Sequence, residues 1–154
     1  MEPQQYFSSL QNDDLIKFGK QFVDGKLTCP FTGIYGDGMN GKTTYIKLLK
    51  ILAETNGVRT IFIRSDQLSD EEISIINNYH YVIIQEEDLM NNDIFSKLRC
   101  KFIFITNFNP INNLPPGVLS VINMNVQFPS NNICHLDWLD ESKKQEFLNY
   151  LKDY

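Results

Sequence analysis

The sequence predicts a three-layer α/β domain, in which a central parallel sheet of about five strands lies between helices. Three observations lead to this prediction. Short, nearly continuous apolar runs recur along the chain, and such runs are typical of strands that helices cover on both faces. Segments with helical apolar spacing alternate with these runs, as the crossovers of a parallel sheet require. A glycine-rich loop joins the first run directly to a helix.

The predicted strands are too short and too apolar to be amphipathic helices. Four of them cover residues 31–35, 59–63, 81–85 and 101–106. A less regular stretch at 121–128 supplies one more strand, after a loop that contains Pro110, Pro115 and Pro116. Prolines are expected in such a loop because they cannot donate to a sheet ladder.

The predicted helices have recognisable start signals. Asn12 or Asp13 caps the first of them, and Ser69 and Glu72 have the spacing of a capping box at the start of a later one. Asn56 and Gly57 end the helix that follows the glycine-rich loop. The helices cover residues 12–23, 42–55, 69–77, 90–98 and 140–154.

Composition indicates a soluble, intracellular protein. The chain of 154 residues fits one domain and is 42% hydrophobic and 21% charged, as globular proteins are. No apolar run approaches the roughly 18 residues of a membrane span, and the N-terminus lacks the pattern of a secretory signal. Cys29, Cys100 and Cys134 form no CxxC pair, which argues against a zinc site or a disulfide framework.

The charge balance excludes a broad nucleic-acid-binding face. The net charge is −5, and the arginines are limited to Arg59, Arg64 and Arg99. Such a face ordinarily needs clustered positive charge. Any contact with DNA or RNA must therefore be local or be supplied by another chain.

The stretch GDGMNGKT matches the phosphate-loop pattern G-x-x-x-x-G-K-[ST] and lies between a strand and a helix. Glycines let successive backbone N–H groups face a phosphate, and the positive end of the following helix adds to that field. Lys42 is expected to reach the β- and γ-phosphates, and the Thr43 hydroxyl to hold Mg²⁺. The alternative is a glycine turn that only caps a helix. The predicted nucleotide-binding residues are Gly36, Asp37, Gly38, Met39, Asn40, Gly41, Lys42, Thr43 and Thr44.

Acidic residues follow the strand at 81–85. Ligand sites gather at the carboxyl ends of strands in open parallel sheets, so Glu86 is expected to coordinate Mg²⁺ directly or through water, and Glu87 to polarise the attacking water. The same two roles also fit Gln85 with Glu86, and Asp88 is a further candidate. The alternative is an acidic cap for the predicted helix at 90–98.

Asn107 follows the strand at 101–106. A neutral amide there can donate to the γ-phosphate while it accepts from the water that attacks it. Asn and Pro also commonly end strands, so Asn107 alone is a weak signal of a nucleotide site. Its position after the other two motifs in the chain is what makes it informative.

Together, GDGMNGKT, VIIQEE and FIFITNFNP resemble the A, B and C motifs of superfamily 3 helicases, which are AAA+-type ATPases found mostly in viruses and related mobile elements. The resemblance covers residues 30–128 and implies a five-stranded parallel sheet. It implies ATP and Mg²⁺ as cofactors, with Lys42 and Thr43 as their ligands, Glu86 and Glu87 serving metal and water, and Asn107 as the sensor. It also implies ATP hydrolysis in genome replication, in the cytoplasm or the host cell.

Two departures point to a shortened member of that family. No arginine follows Arg99, which puts the family's arginine finger in doubt; the expected partners are further copies of this chain in a homo-oligomer, or a partner protein that supplies the finger. The stretch between the second and third motifs is too short for the family's usual DNA-gripping hairpin. The chain is then expected to form one ATPase domain, with a helical lead-in at 1–29, a core at 30–128 and a C-terminal helix at 129–154. Single-stranded nucleic acid is its expected polymer partner.

Two other functions stay open. Nucleotide kinases also open on a phosphate loop followed by Lys and Thr, but they place several arginines around the acceptor phosphate. A non-catalytic ATP-binding module fits the missing finger, whereas Glu86 and Glu87 favour hydrolysis.

Overall fold

Five parallel strands form a single sheet in the order β2-β3-β4-β1-β5. The computed structural model describes residues 2–28, 31–36, 41–63, 69–85, 101–106, 119–123 and 136–154. The strands are β1 (Phe31–Tyr35), β2 (Thr60–Ile63), β3 (Tyr81–Gln85), β4 (Lys101–Thr106) and β5 (Leu119–Asn123). The mixed α/β fold with a parallel sheet is thus confirmed.

Five helices surround the strands in the described part of the chain. They are α1 (Pro3–Ser9), α2 (Asp13–Val23), α3 (Lys42–Thr55), α4 (Asp70–Ile76) and α5 (Glu141–Asp153). Local signals fix where three of them begin. The side chain of Asn12 accepts a hydrogen bond from the Asp14 amide, Ser69 forms the predicted capping box with Glu72, and Asp140 accepts from the Lys143 amide. Each cap satisfies an amide that the first helical turn leaves without a partner.

The main core cluster is built from four helices and one face of the sheet. Side chains of α1, α2, α3 and α5 pack there with Ile34 of β1 and with Tyr81 and Ile83 of β3. Val82 and Ile84 are fully buried as well, but they lie outside that cluster. Because successive side chains of a strand point to opposite faces, β3 is covered on both faces, as its continuous apolar run predicts.

Several predicted boundaries need correction. The last strand begins at Leu119 rather than at 121, and residues 124–128 of the prediction lie outside the described residues. Strand β2 begins at Thr60 rather than at 59. The amide of Arg59 donates to Nδ1 of the His80 side chain, and its carbonyl accepts from the amides of His80 and of Tyr81, the first residue of β3. The predicted helix at 90–98 also lies outside the described residues.

Helix α1 is an element that the sequence analysis did not predict. It has only seven residues, and Tyr6 and Phe7 on it are fully buried. Their rings lie 5.9 Å and 5.6 Å from that of Phe147 in α5. So short a helix is stable only through such packing.

None of the described helices combines the length and the apolar content that crossing a membrane would need.

Candidate phosphate-binding site

The phosphate-loop pattern begins where β1 ends and finishes where α3 starts. Gly36 directly follows the last residue of β1, and Gly41 is the N-cap of α3. The φ angle of Gly41 is +85°, a left-handed conformation that glycine adopts without the steric penalty of a Cβ atom. The carbonyl of Gly41 accepts from the Tyr45 amide at 2.9 Å, which closes the first turn of the helix. The glycine is therefore required by the way the chain enters α3.

Lys42 reaches back from the first position of α3 to the end of β1. Its Nζ atom donates to the carbonyl oxygen of Gly36 at 2.8 Å, and the residue is only 6% exposed. A buried ammonium is costly unless it is hydrogen-bonded, so this bond holds the charge in place. An ammonium has three N–H donors, and a bond to Gly36 is compatible with further contacts to an anion.

The start of α3 favours negative charge. The helix has 14 residues, its first turn contains no acidic residue, and Gly41 has no side chain that could cap it. Aligned peptide dipoles make such a terminus equivalent to about half a positive charge. Thr43 and Thr44 are half-buried in the same turn. The first turn of α3 therefore carries backbone amides, hydroxyl-bearing residues and a lysine, and these are the donor types that bind a phosphate.

Strands β1, β4 and β3 end at the same edge of the sheet. Tyr35 of β1 pairs with Thr106 of β4, and Gln85 of β3 pairs with Ile105. Neighbouring strands lie about 4.8 Å apart, so the last residues of β1 and β3 flank the end of β4 at a separation of about 10 Å. The phosphate-loop pattern begins at this same edge, directly after Tyr35.

The structure describes part of the predicted site. Gly36 directly follows β1, Gly41 caps α3, and Lys42, Thr43 and Thr44 form the first turn of α3; the Lys42–Gly36 hydrogen bond brings the two ends together. The other predicted site residues lie outside the described residues and stay predictions; they are Asp37, Gly38, Met39, Asn40, Glu86, Glu87 and Asn107, and the further candidate Asp88 lies there too.

The described donors fit a magnesium nucleotide in part. The Thr43 hydroxyl next to a buried lysine is suitable for a metal-bound phosphate, whereas the predicted acidic ligand, Glu86, lies outside the described chain. In the parts of the chain that the structure covers, no group of three or more His, Cys, Asp or Glu could hold a metal ion.

Sequence reasoning missed the contact between the first turn of α3 and helix α2. The Tyr45 hydroxyl donates to the carbonyl oxygen of Leu15 in α2 at 2.6 Å. Burial raises the pKa of this hydroxyl well above its ordinary value, so the hydroxyl stays protonated and able to donate. The signal that could have revealed the contact is Gly19, an isolated glycine inside a helical pattern, because such a glycine usually has a packing reason.

No family model and no curated protein matches the sequence. Solved structures do match the fold. One of them is the crystal structure of a DNA replication initiation factor, with a TM-score of 0.50 and 15% sequence identity. The match covers 91% of this chain and 49% of that one, so the chain spans about half the length of the protein it resembles. A likeness at this identity shows the fold alone.

Proposed function

We propose that this chain is a magnesium-dependent ATPase of the phosphate-loop class, related to the ATPase domain of superfamily 3 helicases. One observation carries the proposal. The buried ammonium of Lys42 is held between the carbonyl of Gly36 and the amino end of α3, where helix dipole, backbone amides and positive charge act on the same anion.

The finer fold assignment is a three-layer arrangement. The crossover from β1 to β2 runs toward one edge of the sheet, and the crossover from β2 to β3 runs back. Since crossovers between parallel strands are right-handed in nearly all proteins, this reversal puts α3 and α4 on opposite faces. The burial of β3 on both faces supports the same arrangement.

In the proposed mechanism, Lys42 binds the β- and γ-phosphates. Its positive charge stabilises the negative charge that develops as the bond between the γ-phosphorus and the oxygen bridging it to the β-phosphate breaks. The Thr43 hydroxyl and Glu86 would hold Mg²⁺, which would neutralise charge on the phosphate oxygens. Glu87 orients and polarises the attacking water. The amide of Asn107 donates to the γ-phosphate and accepts from that water.

The same edge of the sheet favours this division of roles. Strand β4, which precedes Asn107 in the sequence, lies between β1 and β3, and Glu86 and Glu87 follow β3 directly in the sequence. Three strands that end side by side can present a phosphate loop, an acidic pair and an amide to one ligand. Gln85 with Glu86 is the alternative assignment of the acidic roles, and Asp88 is a further candidate.

Replication of a viral or mobile-element genome is the proposed setting. The resemblance of the three motifs to superfamily 3 helicases supports it, and the matched structure, which is of a DNA replication initiation factor, supports only the replication part of it. Single-stranded nucleic acid is the proposed polymer partner. A partner protein is proposed to supply the arginine finger, since no arginine follows Arg99 in the sequence and a second copy of the chain would lack one there too.

A non-catalytic ATP-binding module is the second candidate. The lack of any arginine after Arg99 favours it, because an arginine finger contributes about a thousandfold or more to the rate in related ATPases. In that case ATP would stabilise one conformation or one interface without turnover.

Binding of ATP with Mg²⁺ by purified Lys42→Ala tests the site, with Lys47→Ala as the matched control. Lys47 is an exposed lysine of the same helix, so its loss removes the same charge without touching the loop. We expect Lys42→Ala to lose binding and Lys47→Ala to bind as the wild type does. Equal affinity in Lys42→Ala and the wild type would refute the site.

Release of phosphate, measured with and without single-stranded DNA, separates the candidate functions. An ATPase releases phosphate from the wild type, and Glu87→Gln should retain binding but lose turnover. A binding module releases none, and a kinase needs a nucleotide acceptor.

A further inference from the structure

Helix α2 is bonded directly to α3, the helix that begins at the end of the phosphate-loop pattern. The hydroxyl of Tyr45 in α3 donates to the backbone carbonyl of Leu15 in α2 at 2.6 Å, and Tyr45 is 0% exposed. At the other end of the same helix pair, the amide side chain of Asn56 donates to the carbonyl of Val23 at 3.3 Å. The two bonds tie α2 to α3 near both of their ends.

Gly19 makes the close approach of the two helices possible. A Cβ atom added at this position would lie 2.5 Å from the Tyr45 hydroxyl oxygen and 3.1 Å from Cδ2 of Leu49. Glycine inside a helix destabilises it by about 0.5–1 kcal/mol relative to alanine. The missing side chain also leaves the carbonyl of Leu15, one turn earlier, accessible to the Tyr45 hydroxyl. The glycine therefore has a packing role that offsets its cost.

Tyr45 also belongs to the turn that contains the site. Its amide donates to the carbonyl of Gly41 at 2.9 Å, and it lies three positions after Lys42, on the same side of the helix. A residue anchored to α2 through its side-chain hydroxyl, and to Gly41 through its backbone amide, restrains the first turn of α3. The direction of the α3 amides and the origin of the Lys42 side chain both depend on that turn.

We infer that Tyr45 is a positioning residue for the nucleotide site, acting through its hydrogen bond to Leu15 across the contact that Gly19 permits. The inference rests on the proposed function and extends it to the N-terminal segment. That segment lies before residue 30, outside the stretch that resembles helicases. Its helix α2 then serves nucleotide binding by fixing the start of α3 and does not only complete the core.

Tyr45→Phe tests the inference, because it removes the hydroxyl and keeps the ring. Tyr81→Phe is the matched control. The Tyr81 hydroxyl is also bonded to the backbone, as the acceptor of the Leu27 amide at 3.3 Å, but Tyr81 is the first residue of β3, at the sheet edge opposite to the phosphate loop. Both variants lose one hydrogen bond to the main chain, and only one of those bonds reaches the site.

Hydrogen exchange of the Tyr45 amide in the nucleotide-free protein reads the first turn of α3 directly, because that amide donates to the carbonyl of Gly41. We expect Tyr45→Phe to speed this exchange and to weaken ATP·Mg²⁺ binding by about threefold to tenfold, the range that the net loss of one hydrogen bond allows. Tyr81→Phe should change neither quantity at this site. Gly19→Ala, which pushes against the same hydroxyl, should act in the same direction as Tyr45→Phe.

Two results would overturn the inference while the proposed function stands, and in both of them the wild type binds ATP. In the first, amide exchange and ATP affinity are unchanged in both Tyr45→Phe and Gly19→Ala. In the second, Tyr45→Phe and Tyr81→Phe lose equal ATP affinity, which would indicate an effect of packing alone. Failure of the wild type to bind ATP would instead remove the proposed function, and the inference with it.

Discussion

The ammonium of Lys42 donates a hydrogen bond of 2.8 Å to the carbonyl of Gly36, the first residue of the phosphate-loop pattern. The lysine comes from the first residue of α3 and the carbonyl from the residue after β1. This bond directs a buried positive charge toward the amino end of the helix rather than into solvent. An anion bound by the first-turn amides would therefore lie beside a charge that is already desolvated, and such a charge acts more strongly than one in water.

Nucleotide should stabilise the folded protein through this site. A ligand that binds only the folded state at 100 times its Kd raises the free energy of unfolding by about 2.7 kcal/mol, which is roughly 5–10 °C in Tm for a chain of this size. We expect that shift for the wild type and for Lys47→Ala with ATP and Mg²⁺, and none for Lys42→Ala. Thermal unfolding followed by circular dichroism measures it. A full shift in Lys42→Ala would contradict the role of the lysine.

Phe147 should carry much of the packing of α5. It is fully buried, and its ring lies 5.4 Å from that of Trp138 as well as near Tyr6 and Phe7 of α1. Truncation of a buried Phe to Ala typically destabilises by about 3–5 kcal/mol, a large part of the roughly 5–15 kcal/mol available to a domain. Urea unfolding of Phe147→Ala measures the loss.

Asn149→Ala is the control for that experiment, because Asn149 is exposed on the same helix. Its substitution should change the free energy of unfolding by less than about 0.5 kcal/mol. A loss under about 1 kcal/mol in Phe147→Ala would contradict the docking of α5 against α1.

Elements with strong local signals were predictable from the sequence. The bounds of β1, β3 and β4 and of α3 agree with the prediction. At the ends of these elements the apolar run is interrupted by glycine or by a charged residue. Such a boundary can be recognised from neighbouring residues alone. The capping box of Ser69 and Glu72 is equally local. The position of Lys42 at the start of α3 could be predicted for the same reason, since the loop and the helix start are adjacent in sequence, whereas its role in nucleotide binding stays a prediction.

Contacts between distant segments could not be predicted in this way. Helix α1 depends on rings of Trp138 and Phe147, more than a hundred residues away in the chain. Helical spacing places Tyr45 on α3, but it does not reveal that the hydroxyl meets Leu15. The hydrogen bond that fixes the start of α3 thus joins segments that are distant in sequence, whereas the residues of the phosphate-loop pattern are adjacent to one another.

Ser69→Ala should weaken the start of α4. The Ser69 hydroxyl accepts from the Glu72 amide at 3.2 Å, and the Glu72 carboxylate accepts from the Ser69 amide at 3.3 Å. Loss of a serine cap typically costs about 1 kcal/mol. Ser74→Ala is the control, because Ser74 is exposed inside the same helix, where alanine is the better helix former. Urea unfolding should rank Ser69→Ala below the wild type and Ser74→Ala at or above it; the reverse order would contradict the capping box.

The ion pair between Glu2 and Lys143 should link α1 to α5 in a pH-dependent way. A hydrogen bond from the Lys143 ammonium lowers the pKa of the Glu2 carboxyl below its ordinary value of 4.5. Because the folded-state pKa is the lower one, the stabilisation is present above about pH 4.5 and is lost as the pH falls through the folded-state value. The carboxyl chemical shift of Glu2, followed by NMR, should titrate with a midpoint below 4.5.

Lys143→Gln isolates the cause of that shift. It removes the ammonium but keeps a side chain of similar reach, so the Glu2 midpoint should rise toward 4.5 while α5 stays helical. The advantage of the wild type over Glu2→Gln in unfolding free energy should likewise disappear in the Lys143→Gln background, as a double-mutant cycle requires when the two groups act through each other. Since the pair is exposed, 1 M salt should screen it and should also raise the midpoint of the Glu2 titration. A midpoint that does not move in Lys143→Gln would show that the ammonium is not its cause.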